Sequence, residues 1–333
     1  MPRAIVIRPN SDPAASGPIN LAAVEEVDVT DLGDDPVLVE VHYSGINYKD
    51  GLALTGRPGI VRSTPLIGGV DLVGTVVSSQ SPLWQPGDEV ILNGTGMSET
   101  HNGGFSELAR VPADFLVQLP QGLSQARAAA LGTAGYTAAL CVLRLERERL
   151  DAALPLLGTG ATGGGGSIAI ALLAAKGYQV AALSGRTEQY GDYLLELGAS
   201  QVVARSELLG KGRPLQQTRW ASGLDTVGGE VLANLLAQTS YGGTVAACGL
   251  AGSADLPATV MPFILRNVTL AGVDSVQAPL DQRQAAWNLL ATELDLELLD
   301  SLTETVPLTD TVEAAGRLMA GQTHGRIVVD VRA

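Results

Sequence analysis

Basic charge, cysteine, histidine and aromatic residues are all scarce in this chain. Its 333 residues hold 21 Lys and Arg against 35 Asp and Glu, a net charge of −14, which leaves no broad cationic face for nucleic acid or anionic membrane. Any anion it takes is bound locally. The two cysteines, Cys141 and Cys248, cannot form a thiolate-rich zinc site, and two thiols in a chain of this length read as reduced core residues. The three histidines, His42, His101 and His324, have no second nitrogen or sulfur ligand within about five residues, which argues against a local zinc motif. His101, in GMSETHNGGF, is the one placed to line a pocket, although a surface role is the expectation. No uninterrupted apolar run is long enough to span a bilayer, and MPRAIVIRPN lacks an apolar stretch ending in a small-residue cleavage site. A soluble cytoplasmic protein is expected.

Glycine is abundant by contrast: 40 residues, roughly 12% against a usual 7% or so, with 46% hydrophobic residues and no three-residue period. That combination excludes collagen and disorder, and predicts tight turns or close backbone approaches to a ligand. From Met1 to about Gly122, alternating runs such as AIVIRP, VLVEVHYSG, DLVGTVVSS and DEVILNG predict a β-rich region. At Leu123-Ser124 the composition shifts. SQARAAALGTAGYTAALCVLRLERERL is rich in alanine and leucine and reads as helix, with the mixed-charge run from Arg144 to Arg149 as its exposed face. Beyond it, apolar strands alternate with helical segments, from LPLLG and SIAIALLAAKG through to GTVAACG and VTLAGVD, which requires a parallel sheet covered by helices. The tail adds a helix, TVEAAGRLMAG, and a strand, GRIVVDV. The fold class is read as α/β, with a β-rich domain over residues 1–123, a doubly wound domain over 124–275 and a return segment, 276–333, that completes the first domain.

The stretch Leu156 to Ser167, LLGTGATGGGGS, followed by IAIALLAAKG, gives a strand, a turn nearly free of side chains and a helix start in that order. Backbone groups of Thr162, Gly163, Gly164, Gly165 and Gly166, with the positive helix end, can then approach a pyrophosphate closely. Ala161-x-Gly163-x-x-Gly166 is an alanine-first variant of the dinucleotide fingerprint. Pro155 and Gly158 in this central strand predict that it is short. The next strand ends in Ser184, Gly185 and Arg186, with no acid to hold a ribose diol and with Glu188 lying past the strand end. Ser184 and Arg186 suit a 2′-phosphate, so NADPH is the expected cofactor.

Together with Ser44-Gly45-Ile46-Asn47-Tyr48-Lys49-Asp50, the glycine turn resembles the medium-chain dehydrogenase/reductase superfamily, in its zinc-free quinone-oxidoreductase branch. The likeness extends over nearly the whole chain, through PLIGGVDLVGTV, PGDEV, GTAGYTAAL, GATGGGGS, LGAS, DTVGG, YGGTVAACGLAG and GRIVVDV. NYKD, SGR and MPFILRNVTLAGVDS in one chain most resemble the bacterial NADPH-dependent acrylyl-CoA reductase subgroup. The resemblance implies a GroES-like first domain, a Rossmann second domain and a homodimer formed through the nucleotide-domain sheet edge. Zinc-bearing relatives need a Cys after the strand and a His-Glu pair, where this chain has Asn47 and Gly68-Gly69-Val70-Asp71, so no metal is expected. The pattern is broken at Gly158 and Gly165, where relatives carry an aliphatic residue and valine; looser helix-to-strand packing under the turn is the expected consequence.

The resemblance further implies reduction of the activated double bond of a 2-enoyl thioester, acryloyl-CoA to propionyl-CoA. Hydride would reach the β-carbon and leave an enolate that needs hydrogen-bond donors and a proton. Tyr48 is the candidate for orienting the nicotinamide or thioester and for delivering the proton, with water as the alternative donor; Asn47 is the candidate donor to the carbonyl or enolate oxygen. Their bland alternative is a capped turn and a packed Tyr. Residues 47–62 carry Lys49, Arg57 and Arg62 against Asp50, net +2, either a patch that steers CoA phosphates or a solvated loop. Cys248, Gly249 and Leu250 end a strand on the nicotinamide side, Cys248 as a small apolar lining residue without a partner that would activate its thiol. The resemblance places Asn267, Asp274 and Ser275 near the nicotinamide, and Arg326 is a further candidate for the cofactor rim. The competing readings are an NADPH:quinone oxidoreductase, which would use the same turn and Arg186, and a non-catalytic NADPH- or RNA-binding relative, against which the net charge counts.

Overall fold

A computed structural model describes residues 1–11, 18–147 and 153–333. The chain divides into two compact units, Met1–Thr133 with Ser275–Ala285 and Leu299–Ala333, and Ala134–Asp274 with Ala286–Leu298. The first unit contains β1 (Arg3–Pro9), β2 (Asn20–Glu26), β3 (Val37–Ile46), α1 (Tyr48–Leu54), β4 (Leu66–Ile67), β5 (Asp71–Ser79), β6 (Glu89–Asn93), β7 (Leu108–Val111) and β8 (Val117–Gln118). The helix α2 (Gln125–Leu145) begins in this unit. A three-stranded sheet, β2-β1-β4, accompanies a seven-stranded sheet whose path is β15-β16-β3-β5-β6-β8, with β7 also pairing β3. Val37, Val39 and Val41 alternate along β3 and are wholly buried, the period of two that puts every second side chain of a strand on the core face. The late elements β15 (Thr303–Pro307), α9 (Thr311–Met319) and β16 (Arg326–Asp330) belong to this unit, and β16 pairs antiparallel with β3.

The second unit carries β9 (Leu156–Gly158), α3 (Gly164–Ala175), β10 (Val180–Ser184), α4 (Thr187–Glu196), β11 (Gln201–Ala204), β12 (Gly223–Asp225), α5 (Gly229–Gln238), β13 (Thr244–Ala247), α6 (Met261–Arg266) and β14 (Thr269–Gly272). Its six parallel strands run in the order β11-β10-β9-β12-β13-β14. Numbered within the unit this is 3-2-1-4-5-6, the doubly wound arrangement in which the strand order reverses beside the first strand. The first strand is three residues long, as Pro155 and Gly158 predict. The expected looseness beneath the turn is not found at Gly158: a β-carbon there would lie 3.4 Å from Ile170 Cγ1, so a buried α3 side chain already occupies that space.

Three sequence expectations are corrected. The unit boundary falls at Thr133, inside α2, rather than at residue 123. Residues 286–298, the end of α7 (Leu280–Glu293) and the start of α8 (Leu296–Ser301), pack with the second unit instead of the returning segment. There Trp287 stacks on Tyr136 with ring centroids 6.4 Å apart. The helix α2 is long and apolar enough to cross a membrane by length and composition, yet 78% of its apolar window is buried inside the protein and it bends at Gly132 (φ 47°). Finally, α2 stops at Leu145, so Arg144 to Arg149 is not one helical face. Glu146 pairs with Lys176 at 3.2 Å, and Glu148 and Arg149 lie outside the described residues.

Candidate active site

In the second unit the glycine run becomes the first turn of α3, with Gly163 as its extended N-cap residue (φ −84°, ψ 163°). The first N–H groups of a helix have no partner inside it, and here Gly164, Gly165 and Gly166 occupy those positions without side chains. Gly166 is required by close approach, since a β-carbon would collide with the carbonyl oxygen of Gly160. Gly165 has more room, its nearest neighbour being the Ala134 carbonyl oxygen at 3.6 Å. The turn is latched from behind: Ser167 Oγ donates to the Ala161 carbonyl at 3.1 Å, and the Tyr193 hydroxyl donates to Ser167 Oγ at 2.9 Å. Burial raises the pKa of Tyr193, which keeps it a neutral donor. Sequence reasoning did not single out Tyr193.

At the end of β10 the Arg186 backbone N–H donates to Ser184 Oγ at 3.0 Å. The Arg186 guanidinium donates from Nη2 to Thr162 Oγ1 at 2.8 Å and lies 4.5 Å above the Tyr190 ring. Thr162, Ser184 and Arg186, far apart in sequence, are thereby joined at one corner of the turn. A backbone cradle that a β-carbon would close, next to a fixed guanidinium and a hydroxyl, fits a dinucleotide carrying a 2′-phosphate.

At the next strand ends, Thr159 Oγ1 donates to the buried Asp225 carboxylate at 2.7 Å, and the Gly228 N–H does so at 2.7 Å; burial raises the pKa of Asp225. Cys248 donates its backbone N–H to the Asp225 carbonyl at 2.9 Å, Gly249 backs onto Thr226, and Leu250 is exposed. Cys248 lies beside the buried Cys141 thiol, and that interaction, followed by burial, pushes the Cys141 pKa well up, so Cys141 is an inert thiol. Asn267 terminates α6 in the left-handed conformation, a backbone role that the sequence did not reveal.

In the first unit, Asn47 caps α1 and Tyr48 is its first residue, 46% exposed. Two buried carboxylates hold this turn. Asp71 accepts from Asn47 Nδ2 (2.7 Å), Asn93 Nδ2 (2.7 Å), the Thr133 N–H (2.8 Å) and Thr133 Oγ1 (2.5 Å). Asp50 accepts from the Asn47 N–H at 2.8 Å, from Asn47 Nδ2 at 3.2 Å and from the Val70 N–H at 2.9 Å. Burial first, and the neighbouring Asp71 charge second, push the Asp50 pKa up to about 7. This network of Asp50, Asp71, Asn93 and Thr133 was missed in sequence, where an acid inside the apolar run GGVDLVG was its one signal.

Two assignments change as a result. The Asn47 amide donates to Asp71, Asp50 and the Gly45 carbonyl, so its protons are committed and it positions the turn instead of reaching an enolate oxygen. Arg326 is 3% exposed and donates to the carbonyls of Ala130 (2.5 Å) and Ile46 (3.4 Å), which makes it a buried cation of the first unit and not a rim residue. Burial lowers its pKa while Asp71 and Asp50 oppose that shift. The basic patch is also reduced: Lys49 Nζ pairs with Glu99 at 2.6 Å and Arg62 lies 3.9 Å from the same carboxylate, while Arg57 is exposed. Counting residues 47–62 alone misses Glu99. Ser275 begins a segment of the first unit, where its carbonyl accepts from Arg283 Nη2 at 3.2 Å, and Asp274 ends the second unit. His101 is exposed in a turn beside Thr100 Oγ1, at 2.9 Å.

Residues 33–121 match the alcohol dehydrogenase GroES-like domain, and residues 164–292 match the zinc-binding dehydrogenase family. The acid cluster does not fit zinc: Asp71 is saturated by amide, hydroxyl and backbone donors, both cysteines lie in the other unit, and among the described residues no three His, Cys, Asp or Glu could together hold a metal ion. The chain is 48% identical to the acrylyl-CoA reductase AcuI of Ruegeria pomeroyi, covering 94% of this chain and 95% of that protein. It is 46% identical to the putative quinone oxidoreductase YhfP of Bacillus subtilis, covering 92% and 93%. The crystal structure of Escherichia coli K-12 YhdH with bound NADPH superimposes with a TM-score of 0.94 at 46% identity, covering 98% of this chain and 99% of that one.

Proposed function

The chain belongs to the medium-chain dehydrogenase/reductase superfamily, and from that premise we propose that it is an NADPH-dependent 2-enoyl-CoA reductase converting acryloyl-CoA to propionyl-CoA. The observation that carries the cofactor half is the corner where Arg186, pinned by Thr162, meets Ser184 at the edge of a side-chain-free turn. NADPH bound there supplies a hydride to the β-carbon of the thioester. Thr162, Gly163, Gly164, Gly165 and Gly166 hold the pyrophosphate, Ser184, Gly185 and Arg186 the 2′-phosphate, and Cys248, Gly249, Leu250 and Ser275 border the nicotinamide. Tyr48, half-exposed on a turn fixed by buried acids, donates its hydroxyl proton to the carbonyl oxygen as negative charge grows there. Asn47, Asp50 and Asp71 keep it in place, while Arg57 and the outer side of Arg62 are left to attract CoA phosphates.

The active unit is a soluble, cytoplasmic homodimer in this reading, without nucleic-acid or membrane partners. The edge strand β14 has a free side, and α6 next to it exposes Ile264 and Leu265, apolar residues suited to a subunit contact.

A quinone is the second acceptor considered, because the similarity to YhfP is nearly as high. Following NADPH oxidation with acryloyl-CoA, with benzoquinone and with neither separates the two. Turnover of the thioester is expected, and rapid quinone reduction without thioester turnover would overturn the reductase assignment. Tyr48→Phe is expected to lower kcat at least about tenfold with NADPH affinity unchanged. An unaltered kcat removes Tyr48 from the chemistry.

A further inference from the structure

We propose that Arg205, which no sequence motif marks, is a second guanidinium of the 2′-phosphate pocket and a determinant of NADPH preference; this rests on the NADPH reading above. Ser184 and Ala204 are register partners at the ends of the parallel strands β10 and β11. Arg186 and Arg205 lie just beyond these two residues, on adjacent strand ends at the carboxyl edge of the sheet, where ligands of open α/β sheets bind. The Arg205 guanidinium lies against Gly185: a β-carbon built there would be 3.1 Å from Cζ, 3.2 Å from Nε and 3.2 Å from Nη2. Gly185 is thus a place where the lack of a side chain lets a guanidinium cover the backbone between Ser184 and Arg186.

Arg205 is exposed and is not engaged elsewhere. Among the described residues it makes no hydrogen bond or ion pair, and the nearest acid in sequence, Glu207, is turned to Arg219 at 3.0 Å. Most other cations of this acidic chain that face a carboxylate hold it, as Lys49, Arg127 and Arg317 do. Two guanidiniums flanking three residues, with no carboxylate between Ser184 and Arg186, favour a dianion over a diol or a diester. A phosphate monoester carries about −1.5 to −2 charges at pH 7 and offers three acceptor oxygens, enough for both guanidiniums and the Ser184 hydroxyl. The 2′-phosphate of NADPH is such a group, and its pyrophosphate is not.

The two arginines are held differently. Arg186 is fixed by Thr162 and Tyr190, whereas Arg205 is anchored only by its packing on Gly185. Arg186 therefore sets the geometry of the pocket, and Arg205 closes over the phosphate as it arrives.

Binding titrations of the full chain, followed by NADPH and NADH fluorescence and by displacement with adenosine 2′,5′-bisphosphate or 5′-AMP, test this without enoyl-CoA. Wild type should prefer NADPH and the bisphosphate. Arg205→Ala should weaken both about tenfold, or about 1.4 kcal/mol, and leave NADH and 5′-AMP within about twofold. Arg205→Lys should recover part of the loss, and the defect should shrink at high salt. If wild type binds NADH as tightly as NADPH, the NADPH reading falls and the role of Arg205 with it. If wild type discriminates and Arg186→Ala abolishes that discrimination while Arg205→Ala leaves it unchanged, the NADPH reading stands and Arg205 is excluded from the pocket.

Discussion

In the second unit the groups offered to a ligand are main-chain N–H groups between Gly163 and Gly166, whereas in the first the proposed ligand-facing group is a side chain, Tyr48, on a turn clamped by Asp50 and Asp71. The two solutions fail in different ways. A backbone cradle is damaged by adding atoms, because a β-carbon at Gly166 has nowhere to go. A side-chain turn held by buried carboxylates is damaged by removing atoms, because every donor aimed at Asp71 would be left unpaired. Charge also enters differently. The cradle contains no ionisable group, while the clamp buries two acids and the cation Arg326 in one neighbourhood, so pH acts on the clamp alone.

The sharpest way to break this contrast is Asp71→Ala. It strands two amides, a hydroxyl and a backbone N–H, and leaves Arg326 without its main electrostatic support, so a loss of about 3–5 kcal/mol in urea unfolding is expected. A loss below about 1 kcal/mol would mean that the turn is held by something else. Next in size, Gly166→Ala overpacks the turn at a cost of about 1–3 kcal/mol and should abolish most NADPH binding. Gly165→Ala, one position earlier with space for a methyl group, should bind NADPH normally and change stability by less than about 1 kcal/mol. Equal defects in the two variants would show that the turn does not work through close backbone approach.

The smallest effect is a pH dependence confined to the first unit. Asp50 titrates near 7 in the folded chain, against about 3.9 for an exposed carboxyl. The folded state therefore keeps a proton that the unfolded state releases. Its contribution to stability is complete below about pH 4 and is lost as pH rises through about 7, with a limiting slope of about 1.4 kcal/mol per pH unit. Urea midpoints from pH 5 to 8 should show Asp50→Asn converging on or overtaking wild type as pH rises. Parallel profiles would remove Asp50 as the source.

The cradle was largely legible in the sequence. Its determinants are contiguous: a short strand, glycines at set intervals and a helix start recur whatever surrounds them, and the strand end Ser184-Gly185-Arg186 follows one βαβ unit later. The clamp was legible only as isolated residues. Asn47 looked like a donor to substrate because nothing in NYKD reveals that Asp71, 24 positions on, takes its amide proton. Arg326 looked like a rim residue because β16 reaches the first unit only by pairing with β3. Lys49 looked like a free cation because Glu99, 50 positions away, is brought to it by folding.

By itself, the sequence determined the α/β class, the glycine cradle, the preference for a 2′-phosphate at Ser184 and Arg186, and the placing of Tyr48 on an exposed turn, since each depends on residues within about one structural unit of each other. The tertiary structure alone decided which polar residues are free and which are spent, because a hydrogen-bond partner is a property of position in space. It showed Asn47 committed to two carboxylates, Arg326 buried against carbonyls, and Arg205 laid over Gly185 with its guanidinium unpaired.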